Sequence, residues 1–329
     1  MEYTRSRVPA QRLLAPSVAL AKWGKLTSMF KRLVQNGKNL FEKESSSILS
    51  AATIIMGATL VSALLGLVRT RLLIQYFYAD KAVVDVFWAA FRIPDMIFQI
   101  IIVGALSSAF IPVFSRYLGK KDESNLIASS MINSVMIVMI SLTILVIIFA
   151  YPLSRLIAGG FSQDQLRLMV GLTRIMAFAQ LFFGFSSFLT GVIQTHKRFL
   201  IPALSPVLYN VGIIIGILAF GKTLGIYGAA VGVVIGACLH LLAQLPLARK
   251  LGFKYRFVWD KSHGAVKEMS LLMLPRVLTL SLVQIEATAI VTFSSWLSVG
   301  TVTIISIAQQ LANLPVRLIG IPIGQASLP

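Results

Sequence analysis

From residue 48 onward the chain alternates between long apolar runs and short polar punctuation. Each run exceeds 18 residues, the length that separates a membrane-crossing helix from a core strand or from the ten-residue alternation of a membrane barrel. Eight segments are predicted, at about 48–76, 83–114, 126–152, 168–194, 203–221, 226–248, 268–297 and 301–329. The connections are short and carry turn residues, as in Ala158-Gly159-Gly160-Phe161-Ser162-Gln163 and Gly221-Lys222-Thr223-Leu224-Gly225. The expected fold class is an all-α polytopic membrane protein with about eight transmembrane helices.

Composition agrees with the pattern. The 329 residues are 57% apolar and 13% charged, against about 45–50% and about 25% in soluble domains. Disorder, a collagen-like repeat and a disulfide scaffold are excluded on the same ground. Thirty Lys and Arg face twelve Asp and Glu, a net charge of +18, which in a soluble chain would suggest nucleic acid. Here the charges follow the spans. Twenty basic residues fall before the first segment or after the second, fourth and sixth, and only Lys81, Arg155, Arg167 and Lys222 fall in the other connections. The positive-inside rule therefore places the N terminus of this multi-pass protein on the cytoplasmic side of its membrane.

Residues 1–47 form a basic, partly amphipathic leader. Trp23, Leu26, Phe30, Leu33, Val34, Leu40 and Phe41 recur near helical spacing with Lys22, Lys25, Lys31, Arg32 and Lys38 between them. That pattern suits an anionic membrane surface, and equally suits a basic leader that serves topology alone. No cleavable signal peptide is present: the run Leu13 to Ala21 is short and broken by Pro16.

Six basic residues lie inside the apolar segments, all of them arginine: Arg69, Arg71, Arg92, Arg174, Arg276 and Arg317. Asp85, Asp95 and Glu286 accompany them. An arginine at mid-bilayer costs about 2.5–3.5 kcal/mol on insertion scales, so each needs a reason. Arg71, like Arg116 at the end of the second segment, can snorkel to a headgroup. Arg69, Arg92 and Arg276 have apolar sequence on both sides, and point to a hydrated cavity that binds an anion. The planar guanidinium fork fits phosphate oxygens in pairs, which explains arginine rather than lysine. Prolines within spans, such as Pro94, Pro206, Pro275 and Pro315, free backbone groups that only protein or a wet cavity can satisfy, and bent helices around a cavity suggest alternating access.

A weak internal repeat adds to this. Arg92-Ile93-Pro94 followed by Gly104 through Pro112 is echoed by Asn313-Leu314-Pro315 followed by Gly320 through Pro329. Segments seven and eight would then restart the pattern of segments one and two. On that expectation the chain ends inside a second lobe and is C-terminally truncated.

Enzyme readings find little support. His196, His240 and His263 are scattered without metal-ligand spacing, and no nucleophile elbow, P-loop, dinucleotide fingerprint or clustered diphosphate-metal aspartates occur. Cys238 stands alone, so no intramolecular disulfide can form.

Three stretches carry a family resemblance. Leu65-Gly66-Leu67-Val68-Arg69, Asp85-Val86-Phe87-Trp88-Ala89-Ala90-Phe91-Arg92-Ile93-Pro94 and Gly104 through Phe114 closely resemble the first two helices of the MurJ (MviN) lipid II flippases. Gln194-Thr195-His196-Lys197-Arg198-Phe199 with Pro202 and Pro206 to Asn210 resembles that family's junction of helices four and five. Leu314-Pro315 with Gly320 and Pro329 resembles its helix eight.

The resemblance implies a fold of the multidrug/oligosaccharidyl-lipid/polysaccharide exporter superfamily, with two six-helix lobes around a central cationic cavity. It implies movement of undecaprenyl-diphosphate-linked lipid II from the cytoplasmic to the outer leaflet for peptidoglycan synthesis. Arg69 matches the family's helix-one arginine, and Asp85 and Arg92 its helix-two pattern. Three other family arginine positions fall on Ala63, Phe98 and Gln310, and Arg276 and Arg174 are candidates to restore that charge. The family's helix-seven sodium carboxylate falls on Ile290, with Glu286 one turn earlier as a substitute ion site.

Domain expectations follow: a leader over 1–47, a six-helix lobe over 48–248, a basic cytoplasmic linker over 249–265, and two helices of a second lobe over 266–329. The expected substrate-binding set is Arg69, Asp85, Arg92, Arg276 and Arg174. No catalytic residue, metal or cofactor is expected; the driving force would be the membrane potential or a cation gradient. Expected partners are lipid II, membrane lipids and cell-wall synthesis enzymes, with no nucleic acid. Two alternatives are an exporter of another polyprenyl-diphosphate glycan, of the O-antigen or teichoic type, and a non-transporting membrane partner of cell-wall enzymes.

Overall fold

The computed structural model describes residues 48–77, 79–104 and 109–326; the basic leader of residues 1–47, the Ala105–Ser108 stretch of the second motif and the terminal Pro329 lie outside them. The described residues are helical throughout their secondary structure: α1 (Ile48–Tyr76), α2 (Lys81–Phe98), α3 (Ile111–Ser115), α4 (Lys121–Ile148), α5 (Ala150–Ile157), α6 (Gln163–Thr195), α7 (Leu200–Ile215), α8 (Gly221–Leu224), α9 (Ile226–Lys250), α10 (Gly264–Ser295), α11 (Thr301–Ala312) and α12 (Ile321–Ala326). Among them seven helices are long and apolar enough to cross a membrane, and α11 with the turns that follow makes an eighth, bent by 44°.

Local chemistry sets the boundaries where they differ from expectation. α4 starts five residues early, at Lys121, because Asp122 and Glu123 in its first turn oppose the positive end of the helix dipole. It breaks at Phe149, since Pro152 in α5 has no N–H for the carbonyl of Ile148. α6 starts at Gln163 on a reciprocal capping box between Ser162 and Gln165. α10 starts at Gly264, where the His263 Nδ1 accepts the N–H of Ala265 at 3.2 Å. The connection between α9 and α10 is thereby narrowed to residues 251–263.

Successive spans run in opposite directions. The connections after α3, α6 and α9 form a basic-rich end, and those after α1, α5, α8 and α10 a basic-poor end. α9 packs most extensively on α7 and α6. The α7–α9 crossing is backbone on backbone: a Cβ on Gly216 would stand 2.4 Å from the Cα of Gly232, and one on Gly212 would stand 2.3 Å from that of Gly236. These are small residues four apart on both helices, the arrangement that lets membrane helices approach without a hydrophobic driving force.

Three spans contain a π turn, at Gln99–Val103 after α2, Gly216–Phe220 after α7 and Val316–Gly320 before α12. Such turns often mark functional sites. In α2, Pro94 leaves the carbonyl of Ala90 without its helical partner, and the hydroxyl of Thr173 in α6 donates to it at 3.3 Å. α10 stands apart from the rest, with Leu271, Leu274, Leu278, Leu282 and Ile285 exposed along one face.

Candidate functional site

Charged and amide side chains from α1, α2, α7 and α10 meet in pairs inside the spans. Arg69 lies about 10 Å from the basic-poor end of α1, and Arg92 about 16 Å from that of α2, at 1.5 Å per residue. The Arg69 Nη1 donates to the Asn210 Oδ1 at 3.1 Å. The Asn210 amide is oriented by its own donor group, which reaches the carbonyl and hydroxyl of Ser62 at 3.2 Å each and the carbonyl of Pro206 at 3.1 Å. The Arg69 guanidinium also lies 5.8 Å from the ring centre of Trp88 in α2, within cation–π range. One turn before it, Gly66 leaves room for Gln310: a Cβ there would stand 3.4 Å from the Gln310 Nε2.

Arg92 bridges α2 to α10. Its Nε donates to the Thr288 Oγ1 at 3.0 Å, and its Nη2 to the Gln284 carbonyl at 3.0 Å and to the Gln284 side-chain oxygen. Asp95, one turn on, accepts a side-chain hydrogen bond from Gln99 and lies in the field of Arg92 and Arg317. Arg317, exposed on the π turn before α12, also acts electrostatically on Arg69. Two part-buried arginines, with the exposed Arg317 in electrostatic range, against one aspartate leave the region cationic, which suits a polyanion more than a single carboxylate.

The other candidate residues fall elsewhere. Asp85 is buried near the basic-poor end, 3% exposed. Its Oδ1 accepts the N–H of Thr303 at 2.8 Å and the hydroxyl at 2.5 Å, and its Oδ2 accepts the N–H of Gly300 at 2.5 Å. Gly300 holds φ +96° at the start of α11 and has no side chain to cap it, so Asp85 supplies the cap from another helix. Arg174 is exposed on α6 and donates from Nε to the carbonyl of Ile147 at 3.0 Å, near the C-terminal end of α4. Arg276 and Glu286 are exposed on α10. Phe98 packs edge-on against Phe183 at 5.9 Å.

α10 is tied to the preceding helices at three heights. At the basic-rich end Arg116 and Glu268 pair at 2.6 Å, both half exposed. Arg92 holds its middle. At the basic-poor end the Gly160 N–H donates to the Ser295 Oγ at 3.2 Å, where a Cβ on Gly160 would stand 2.2 Å from the Ser295 carbonyl oxygen.

Sequence reasoning named Arg69 and Arg92 but left Arg317, Asp95, Asn210 and Gln310 out of the site. Arg317 and Asp95 carried a signal, being charged residues inside apolar segments; Asn210 and Gln310 carried none that distinguishes a cavity amide from a satisfied core amide. Among the described residues no three His, Cys, Asp or Glu side chains come together in a way that would hold a metal ion.

Comparison with known proteins places this arrangement in a family. The family model for the lipid II flippase MurJ matches residues 73–329. The lipid II flippase MurJ of Burkholderia cenocepacia is 28% identical over 86% of this chain and 57% of its own length. A probable lipid II flippase MurJ of Buchnera aphidicola from Acyrthosiphon pisum is 32% identical over 81% of this chain and 53% of its own. A solved lipid II flippase MurJ in an inward closed conformation superposes with a TM-score of 0.68, at 25% identity, over 80% of this chain and 55% of that one. A MATE transporter solved with Br-NRF shares the fold alone, with a TM-score of 0.58 at 17% identity. The chain spans just over half the length of the curated relatives it matches. The helical architecture, the ordered motifs and the matched family model together make this chain a multi-pass membrane protein of the MurJ lipid II flippase family.

Proposed function

We propose that this chain acts in lipid II flipping, carrying an undecaprenyl-diphosphate-linked peptidoglycan precursor from the cytoplasmic to the outer leaflet by alternating access. The observation that carries the reading is the placement of Arg69 and Arg92 inside the spans, part-buried on amide partners from other helices, with Arg317 in electrostatic range of Arg69 and Asp95. With the basic-rich end in the cytoplasm, as the positive-inside rule directs, Arg276 lies about 12 Å nearer that side than Gln284, between the Arg116–Glu268 pair and the inner arginines, and meets an entering diphosphate before Arg92 does. The headgroup then displaces Asp95 as the partner of the inner arginines. Gln284 and Thr288 hold the Arg92 fork open toward it, and Asn210 does the same for Arg69. The prenyl tail stays in lipid beside a cavity of about 640 Å³ between α1 and α11, lined by Leu67, Thr70, Arg71, Ile74, Gln75 and Ile307.

The two ends differ in strength. An exposed ion pair such as Arg116–Glu268 contributes about 0–1 kcal/mol, whereas each hydrogen bond to a buried charge contributes about 1.5–3 kcal/mol, and Asp85 accepts three. The inner latch therefore opens readily while the outer one stays shut until the loaded cavity shifts the balance. The driving force is the membrane potential or a cation gradient, with Glu286 the α10 carboxylate open to a monovalent cation.

Lipid II binding to the purified chain in nanodiscs, read by native mass spectrometry, tests the reading. Replacing Arg69 or Arg317 with alanine should weaken binding about tenfold or more, the equivalent of one charge-assisted hydrogen bond. Undiminished binding by both variants would refute the cavity assignment. Equal binding of an O-antigen-type polyprenyl diphosphate would favour the broader exporter reading, since the cluster reads the diphosphate rather than the glycan.

A further inference from the structure

We infer that residues 254–261, between α9 and α10, form a docking surface for the anionic phospholipid headgroups of the leaflet at the basic-rich end. The segment is an extended strap bound to one face of α4 by side chains spaced along that helix. Asn125 accepts the N–H of Lys254 at 2.9 Å, Ser129 that of Arg256 at 3.0 Å, and Ser130 that of Asp260 at 3.1 Å. Asn133 donates to the carbonyl of Val258 at 2.8 Å and accepts the Tyr255 hydroxyl at 2.5 Å.

The same helix face changes character within one turn. Asn125, Ser129 and Asn133 recur four residues apart, and Ile137, Ile140, Ile144 and Ile148 continue their stripe, each of these isoleucines more than 40% exposed. A helix face that is polar up to Ser134 and bare isoleucine from Ile137 marks the passage from headgroup layer to hydrocarbon. The strap covers the polar side of that boundary and stops at it: the Trp259 Nε1 donates to the Ser134 hydroxyl at 2.8 Å. Its ring is thus held within about one turn, some 5 Å, of the hydrocarbon, the level at which tryptophan and tyrosine collect in membrane proteins.

The exposed side of the strap has the matching chemistry. Tyr255, Phe257 and Trp259 alternate along it with Lys254 and Arg256, and Phe257 is 93% exposed, with none of the described residues packed over it. The Lys261 ammonium lies 3.9 Å from the Trp259 ring centre, which keeps cation and indole side by side. Arg256 is drawn back to Asp122 at 2.7 Å, so Lys254 and Lys261 are the cations turned outward. Aromatic rings at the acyl boundary with lysines among the phosphates are what an interfacial segment needs to hold an anionic leaflet. The surface needs the membrane position of α4 and does not depend on lipid II recognition.

The test uses the full chain in nanodiscs of phosphatidylcholine with and without phosphatidylglycerol. With Trp23, Trp88 and Trp296 replaced by phenylalanine, Trp259 emission should be quenched by lipids brominated near the headgroup and shielded from aqueous acrylamide. Quenching by acrylamide and not by bromolipid would overturn the proposal and point to a soluble protein partner instead. The second measurement keeps all tryptophans and reads retained phosphatidylglycerol by native mass spectrometry. Lys254→Gln with Lys261→Gln should weaken its binding about 25-fold, about fivefold for each lysine near an anionic surface; unchanged retention would overturn the headgroup assignment. A chain that fails to bind lipid II can still pass both arms, so the two proposals fail separately.

Discussion

Asp85 in α2 accepts both the backbone N–H and the hydroxyl of Thr303 in α11, 218 residues away in sequence, and with Gly300 completes a helix cap that α11 cannot make for itself. A carboxylate inside an apolar segment reads as a ligand for a cation or a partner for an arginine. Here it closes the basic-poor end by joining a helix of the six-span set to the last span. Asp85→Ala should cost about 1–3 kcal/mol for each donor left stranded, measured by thermal unfolding in detergent. Asp85→Asn, which keeps one acceptor oxygen, should cost less. Equal stability of wild type and Asp85→Ala would show the cap to be dispensable.

The Arg116–Glu268 pair should behave in the opposite way. Because both partners are half exposed, Glu268→Gln should change unfolding by less than about 1 kcal/mol. Its effect should appear in access instead. With Cys238 replaced by serine and Gln310 by cysteine, a membrane-impermeant thiol reagent added on the cytoplasmic side should react faster in the Glu268→Gln background.

The glycine crossing of α7 and α9 makes a sharp stability prediction. Gly216→Ala places a methyl 2.4 Å from the Cα of Gly232, a backbone atom that cannot swing aside. Overpacking of this kind costs about 1–3 kcal/mol. Gly57→Ala in α1, where a Cβ would meet nothing within 4 Å, is the matched control and should be neutral or slightly stabilising.

The turn that ends the strap should resist acid. The Asp260 carboxylate is held below the usual aspartate range by the hydrogen bond from the Ser262 hydroxyl, joined by the N–H groups of Ser262 and His263. A lowered value in the folded chain means that its contribution is present above the unfolded value and is lost only as pH falls through the folded one. Trp259 emission should therefore stay constant from neutral pH down to about 4, the ordinary aspartate value, and change below it. Asp260→Asn should remove that acid transition; a transition that survives in the variant belongs to another group.

Much of the fold was legible because hydrocarbon is an undemanding reader. A run such as Ile226 to Lys250 has one stable solution in a bilayer, a helix that satisfies its own backbone, whereas the capping box of Ser162 and Gln165 started α6 five residues ahead of the expected 168. The arginines were legible too, because their cost in lipid demands a reason. What each one does was harder to read. Arg69, Arg92 and Arg174 look alike as isolated charges in apolar sequence, yet two meet in the central cluster and the third reaches the end of a neighbouring helix.

The sequence by itself determined that this chain crosses a membrane repeatedly, which ends of its spans carry the positive charge, and that its embedded cations are all arginine, since these follow from transfer energies summed along a local window. Tertiary structure alone decided that Arg69 meets Asn210 and Arg92 meets Gln284, that Asp85 caps α11, and that Asn125, Ser129 and Asn133 hold the strap and not a cavity. Those are matters of which face of one helix meets which face of another, and hydropathy, being a sum over a window, carries no record of direction around the helix axis.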